Sequence, residues 1–328
     1  MLIASLAMAG MIAPSLPETK FVKEARVACA APVGNRPRIK GIRIERVIAS
    51  ANDLPKLRIT DVESGGWMYA YYDAASERAA WARAACLGAQ LRLLNTELSG
   101  ARRNAQWYGA VFAAIAAYVP PASETVTRWH VPVRSDGALL KEGQEMVVLT
   151  MPHEQVHGFQ IRAGAQVPRW FSEGHAEWLS RFVKQAIAPS AAKEDGREYE
   201  AVLASATMPV ALESWGGLKI KREAIFRQVS EDERHKMEAD PRYYPPMNAR
   251  SFKFGPNDLM GDESNQSFIK ARYEAAWRIF RDLEAAHGKA AVQRWVTNLT
   301  SQAGSVTATR IKDEAHSEMG EALSARLK

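Results

Sequence analysis

Apolar and polar residues repeat along the chain at two periods, and these divide it into elements. From Arg38 to Val62 the segments GIRIERVIA and LPKLRITDV alternate at period two. This predicts strands separated by a turn at Asn52, Asp53 and Pro55. Gly65 and Gly66 break the run before the aromatic cluster WMYAYY. From Ala74 to Leu98 the period becomes helical: Trp81, Leu87, Leu91 and Leu94 recur along an alanine-rich helix that Gly100 is placed to end. A second helix is predicted from Trp107 to Tyr118, stopped by Pro120 and Pro121. The segment ETVTRWHVPV then alternates as a strand before turn residues Asp136 and Gly137.

The second half is mainly helical. PRWFSEGHAEWLS, Pro168 to Ser180, predicts a helix with Ser172 near its start and Trp170, Phe171, Trp178 and Leu179 as apolar contacts. The stretch 189–266 is polar and broken by Pro209, Gly216, Gly217, Pro241, Pro245, Pro246 and Pro256, so it either covers a cleft or decorates the surface. SFIKARYEAAWRIFRDLEAAHGKAAVQRWV predicts a strong helix, with Ile269, Tyr273, Trp277, Phe280 and Leu283 on its buried face and Gly288 as its cap. The expected fold class is therefore α+β and mostly helical. A leader (1–20) precedes a small mixed α/β subdomain (21–135) and a helical region (136–328) that contains the irregular insert at 189–266.

Composition narrows the function. The 328 residues are 47% hydrophobic and 24% charged, which excludes disordered and collagen-like chains. That length buries a full core without disulfide or metal staples. Against 37 acidic residues, 43 basic ones leave a net charge of only +6, with no basic run, so no nucleic-acid partner is expected. Leu2 to Ala13 is apolar but too short to span a bilayer, and Ala7, Ala9 and Gly10 supply a cleavage-like pattern. The segment reads as a secretory signal, giving a periplasmic or secreted protein, or alternatively as a membrane anchor over residues 1–16. Any membrane association is expected through this segment alone. Cys29 and Cys86 either form one disulfide in an oxidising compartment or are two unrelated thiols.

The chemistry begins at His153-Glu154-Gln155-Val156-His157, an H-E-x-x-H pattern. On a helix, residues four apart share a face, so both imidazoles point at one metal while Glu154 sits beside them, displaced from the ligand direction. Pro152 directly precedes the first histidine, so the helical turn there is expected to be kinked or missing unless the helix starts at the proline. The next helix returns Glu173, sixteen residues after His157, to the metal's vicinity, and Glu177 lies on the same face one turn later. A carboxylate there accepts the free ring N–H of His153 or His157.

HEQVH followed by WFSEGHAEW resembles the gluzincin metallopeptidases, the peptidase MA-like group of thermolysin and aminopeptidase N type. The resemblance implies a zincin-like catalytic domain and a zinc-dependent peptidase with one zinc ion per chain acting on a peptide or protein substrate. Position by position, it implies His153, His157 and Glu173 as metal ligands and Glu154 as the general base that activates the zinc-bound water. Glu177 matches the acid that orients a ligand histidine. The Gly-x-Met-Glu-Asn element of aminopeptidases is absent, so recognition of a free amine is not implied. Tyr273, near the start of the long C-terminal helix, matches a tyrosine that donates to the oxyanion; its other reading is an aromatic on the buried stripe. An alternative function keeps the same zinc in a catalytically inactive, peptidase-like envelope binding module. The remaining histidines rank lower. His175 is about 200° round the helix from Glu173 and faces away from the metal, His130 lies on a strand, and His235, His287 and His316 are expected in solvent.

Overall fold

The computed structural model describes residues 17–48, 54–97, 108–114, 127–160, 165–206, 210–213, 215, 220–241, 243, 245, 258 and 266–327. The leader expected over residues 1–16 lies outside them. Helix α1 (Lys20–Cys29) is capped by Thr19, whose hydroxyl accepts from the Val22 N–H. Three strands follow, β1 (Ile42–Val47), β2 (Lys56–Asp61) and β3 (Trp67–Tyr72), and then the long helix α2 (Glu77–Glu97). Strands β4 (Tyr108–Ala113) and β5 (Thr127–Pro132) complete a five-stranded sheet in the order β1-β2-β3-β4-β5. Pairing is antiparallel from β1 to β3 and parallel from β3 to β5.

Strand β4 corrects the helix expected from Trp107 to Tyr118, whose residues 107 and 115–118 lie outside the described set. Its Ala110, Val111, Phe112 and Ala113 are all buried between parallel neighbours. A strand covered on both faces loses its period-two pattern and reads as a continuous apolar run, which periodicity cannot separate from a helix.

The helical half opens with α3 (Lys141–Glu145), a π-helical turn over Met146–Thr150 and α4 (Met151–Gln160), without interruption. The turn before His153 is therefore present but widened. Pro152 has no N–H to donate, and the Met151 N–H bonds to the Met146 carbonyl five residues back. After a two-residue strand, β6 (Ala165–Gln166), come α5 (Arg169–Ile187), α6 (Pro189–Ala204), α7 (Arg222–Phe226) and α8 (Glu231–Ala239). The C-terminal part holds α9 (Gln266–His287), α10 (Lys289–Thr300), β7 (Gly304–Ser305, paired with β6) and α11 (Ala308–Met319). The expected C-terminal helix thus divides at Gly288, whose φ of 81° no other residue adopts cheaply.

The architecture is α+β. One apolar core joins the sheet, α2 and the helical layer, with Leu57, Leu87, Phe112, Trp170, Trp178, Phe280 and Trp295 among its members. Cys29 on α1 and Cys86 on α2 are bonded, so the pairing left open by the sequence is formed. Among the described residues, no helix is long and apolar enough to cross a membrane.

Candidate metal centre

Two helices build the site. Helix α4 presents His153, Glu154 and His157. Helix α5, packed against it, presents Glu173 and Glu177. The rear of α4 is held by buried amides: Gln155 Nε2 donates to Gln90 Oε1 (2.7 Å), and Gln90 Nε2 donates to the Val147 carbonyl (2.8 Å) in the π turn. Helix α5 is held against α9 at Gly174, where a Cβ would lie 2.8 Å from the Ala276 carbonyl oxygen.

Three donor atoms converge in front of these helices. His153 Nε2 lies 3.1 Å from His157 Nε2 and 3.1 Å from Glu173 Oε2, and His157 Nε2 lies 3.4 Å from that same oxygen. His153, His157 and Glu173 form a group whose ligand atoms all lie within 4.8 Å of one another. The opposite edge of each imidazole faces a polar partner, hydrogen-bonded for His157 and within ion-pair distance but out of hydrogen-bond line for His153. His153 Nδ1 is 3.0 Å from Glu177 Oε1, and His157 Nδ1 is 2.6 Å from Gln160 Oε1. With a proton on each Nδ1, two nitrogen lone pairs and a carboxylate oxygen face a single point. Such an arrangement repels itself unless a cation sits at that point. Two imidazoles and one carboxylate are a donor set suited to zinc with a position left open, so the residues present fit that metal.

The surrounding carboxylates favour positive charge at this point, and without a metal the imidazoles themselves take it up as protons. Burial disfavours the imidazolium of His153, yet its contacts with Glu173 and Glu177 outweigh burial and push its pKa up to about 10. The pKa of His157 is raised in the same way, by Glu173 against burial. Burial would raise Glu173, but the two imidazoles hold it well below the usual carboxylate range. Glu177 is likewise held low, because Lys184, His153 and Arg181 together overcome its burial. Glu154 differs: burial pushes its carboxyl up from the ordinary value, against the pull of both imidazoles. A carboxylate with a raised pKa is a better proton acceptor for chemistry near neutrality.

Tyr273, on α9, joins the group. Its ring centroid is 5.8 Å from that of His153 and 5.1 Å from that of Trp215, and burial raises its hydroxyl well above the ordinary value. Tyr273 therefore packs against the core and also against the His153 ring, so its position is compatible with both readings. Trp215 comes from the stretch expected to be irregular and is 2% exposed, so this part of 189–266 is built into the site. Arg169 lies with its guanidinium 4.8 Å over Trp215 and its Nε 3.7 Å from Glu173 Oε1. That leaves Glu173 Oε2 as the oxygen facing the imidazoles.

His175 stays out of the metal group, as its helical phase predicts, and is buried against Trp178 and Phe280. His130 Nε2 lies 2.9 Å from the Ala113 carbonyl oxygen, within the sheet. His235 and His316 are exposed, while His287 is half-buried beside Glu321 rather than in solvent. Sequence reasoning missed Gln160, Arg169 and Trp215. Gln160 follows His157 by one helical turn, which is the only signal the chain offered for it.

No family model matches the chain, and no curated protein matches it. Among solved structures, the chain is similar to a mutant M1 zinc metallopeptidase from Deinococcus radiodurans. The identity is 12% and the TM-score 0.39, over 87% of this chain and 51% of that one. The chain spans about half the length of that protein, and at so low a TM-score the likeness carries no argument. The functional reading rests on the site itself.

Proposed function

We propose that this protein is a zinc-dependent metallopeptidase of the gluzincin type, with a zincin-like catalytic region, acting on a peptide or protein substrate. The observation that carries the reading is the convergence of His153 Nε2, His157 Nε2 and Glu173 Oε2 beside the half-buried Glu154. His153, His157 and Glu173 would hold one zinc ion, whose Lewis acidity acidifies water and polarises a carbonyl when it is bound. Glu154 takes the proton from the attacking water and delivers it to the leaving amine. Tyr273 keeps its own proton and donates a hydrogen bond to the carbonyl oxygen as charge develops there. Glu177 orients His153 through Nδ1, with Lys184 and Arg181 keeping it ionised. We further read the protein as exported; the disulfide and the apolar leading segment support this.

The test is hydrolysis of a quenched fluorescent peptide library by zinc-loaded wild type and Glu154→Gln. The variant is expected to retain its zinc and lose hydrolysis by a factor of at least about 100, the usual contribution of a positioned acid–base group. Tyr273→Phe is expected to lower kcat by about 100-fold or more, as removal of one oxyanion donor does. Full activity in Glu154→Gln overturns the mechanism. Zinc binding without hydrolysis in the wild type favours the envelope binding module instead.

A further inference from the structure

We infer that Gln160 is a positioning residue for the metal site, whose side-chain amide holds the proton of His157 on Nδ1 and so presents Nε2 as the bare donor. This rests on the zinc reading above. The amide orientation follows from its partners. Gln160 Nε2 lies 2.7 Å from the carbonyl oxygen of Ser172, which can only accept, so the nitrogen end must face α5. The same NH2 group donates its second hydrogen to His175 Nδ1 at 3.0 Å. With the nitrogen end fixed, Oε1 faces His157 Nδ1 at 2.6 Å and accepts from it. Ser172 Oγ donates to the same Oε1 at 2.8 Å, with its oxygen 3.3 Å from His157 Nδ1.

Every hydrogen-bonding valence of this amide is thus used: two donors and two acceptor lone pairs, in a residue only 8% exposed. A saturated, buried amide cannot rotate without orphaning partners on both helices. The other possible proton position, on Nε2 of His157, would aim an N–H at His153 Nε2 and the metal position and would leave Gln160 Oε1 without its strongest donor. Gln160 therefore selects the ligating form of His157 and, through the Ser172 carbonyl, ties α4 to the first turn of the helix that carries Glu173. Neither a shorter amide nor an apolar residue at 160 supplies both ends.

The test uses the full chain as wild type, Gln160→Leu and Gln160→Glu, with zinc affinity measured by chelator competition. Proton NMR of the cobalt-substituted proteins supplies the readout that general destabilisation does not move, because ring N–H signals of ligating histidines are resolved and their solvent exchange can be timed. Gln160→Leu is expected to lose about 10–100-fold in zinc affinity, the usual effect of removing a ligand's hydrogen-bond partner, and to exchange the His157 ring proton rapidly. Gln160→Glu keeps an acceptor for His157 but gives up the donor to the Ser172 carbonyl, so it is expected to recover only part of the affinity and of the slow exchange. Unchanged affinity and exchange in Gln160→Leu overturn the inference while leaving the zinc site standing. If that variant does not fold, a His157 ring proton in the wild type that exchanges as fast as one in solvent overturns it equally. A wild type that binds neither zinc nor cobalt overturns the metal reading itself.

Discussion

Lys184 carries its ammonium into the interior, where Nζ lies 3.1 Å from Glu177 Oε2 and both side chains are almost fully buried. The pair keeps Glu177 ionised and so available to His153. Removing one partner of a buried pair costs up to about 3–5 kcal/mol, toward the lower end where other cations stay beside the survivor, as His153 and Arg181 do beside Glu177. Lys184→Met is therefore expected to destabilise the zinc-free protein by about 3 kcal/mol in urea, and adding Glu177→Leu is expected to recover most of that loss. Glu284 behaves in the opposite sense. Its Oε2 accepts from Trp178 Nε1 at 2.6 Å, but burial raises its carboxyl above the ordinary value. A carboxyl with a higher pKa folded than unfolded weakens the fold while ionised, and the penalty disappears as pH falls through the folded pKa. Glu284→Gln keeps the acceptor, so thermal melts should show a higher Tm at pH 7, with the advantage shrinking as pH approaches 4.5.

At the scale of elements, the decisive contact is α5 against α9. A Cβ at Gly174 would meet the Ala276 carbonyl oxygen at 2.8 Å and Phe280 at 2.9 Å, so Gly174→Ala forces the two helices apart. The expected cost is about 1–3 kcal/mol, read from urea denaturation. Because Tyr273 rides on α9, kcat should fall further than the lost stability accounts for. The pair α4 and α5 was the most legible part of the chain. Helical spacing pairs His153 with His157 and Glu173 with Glu177, the resemblance of HEQVH and WFSEGHAEW to the gluzincins implied that the two pairs meet, and His153, His157 and Glu173 do come together. Strand β4 was illegible because its double burial removed the alternation that marks a strand. Gln160, Arg169 and Trp215 were illegible for another reason. Their roles depend on which helices meet, and a polar residue one turn beyond a ligand looks the same whether it faces solvent or an imidazole. The π turn escaped because Pro152 announces a local defect without saying how the chain absorbs it.

At the scale of the molecule, a single core joins the sheet to the helical layer, and the Cys29–Cys86 bridge fastens α1 to α2 within it. The bridge closes a loop with a sequence separation of 57. Chain-entropy reasoning gives a bridge of that span about 4 kcal/mol of stabilisation, an upper value because residual structure in the unfolded chain reduces it. A Cys29→Ala, Cys86→Ala double variant is expected to unfold at markedly lower urea while still binding zinc when folded, since neither sulfur belongs to the metal group.

The central claim is that His153, His157 and Glu173 hold one metal ion, and it is tested most directly by zinc content. The wild-type chain and Glu173→Ala are purified without chelator, exposed to excess zinc, desalted and assayed for bound metal. One zinc per folded wild-type chain, lost or greatly weakened in Glu173→Ala, is the predicted result. A well-folded wild type that refuses zinc, or a Glu173→Ala protein that holds it as tightly as the wild type, would contradict the account.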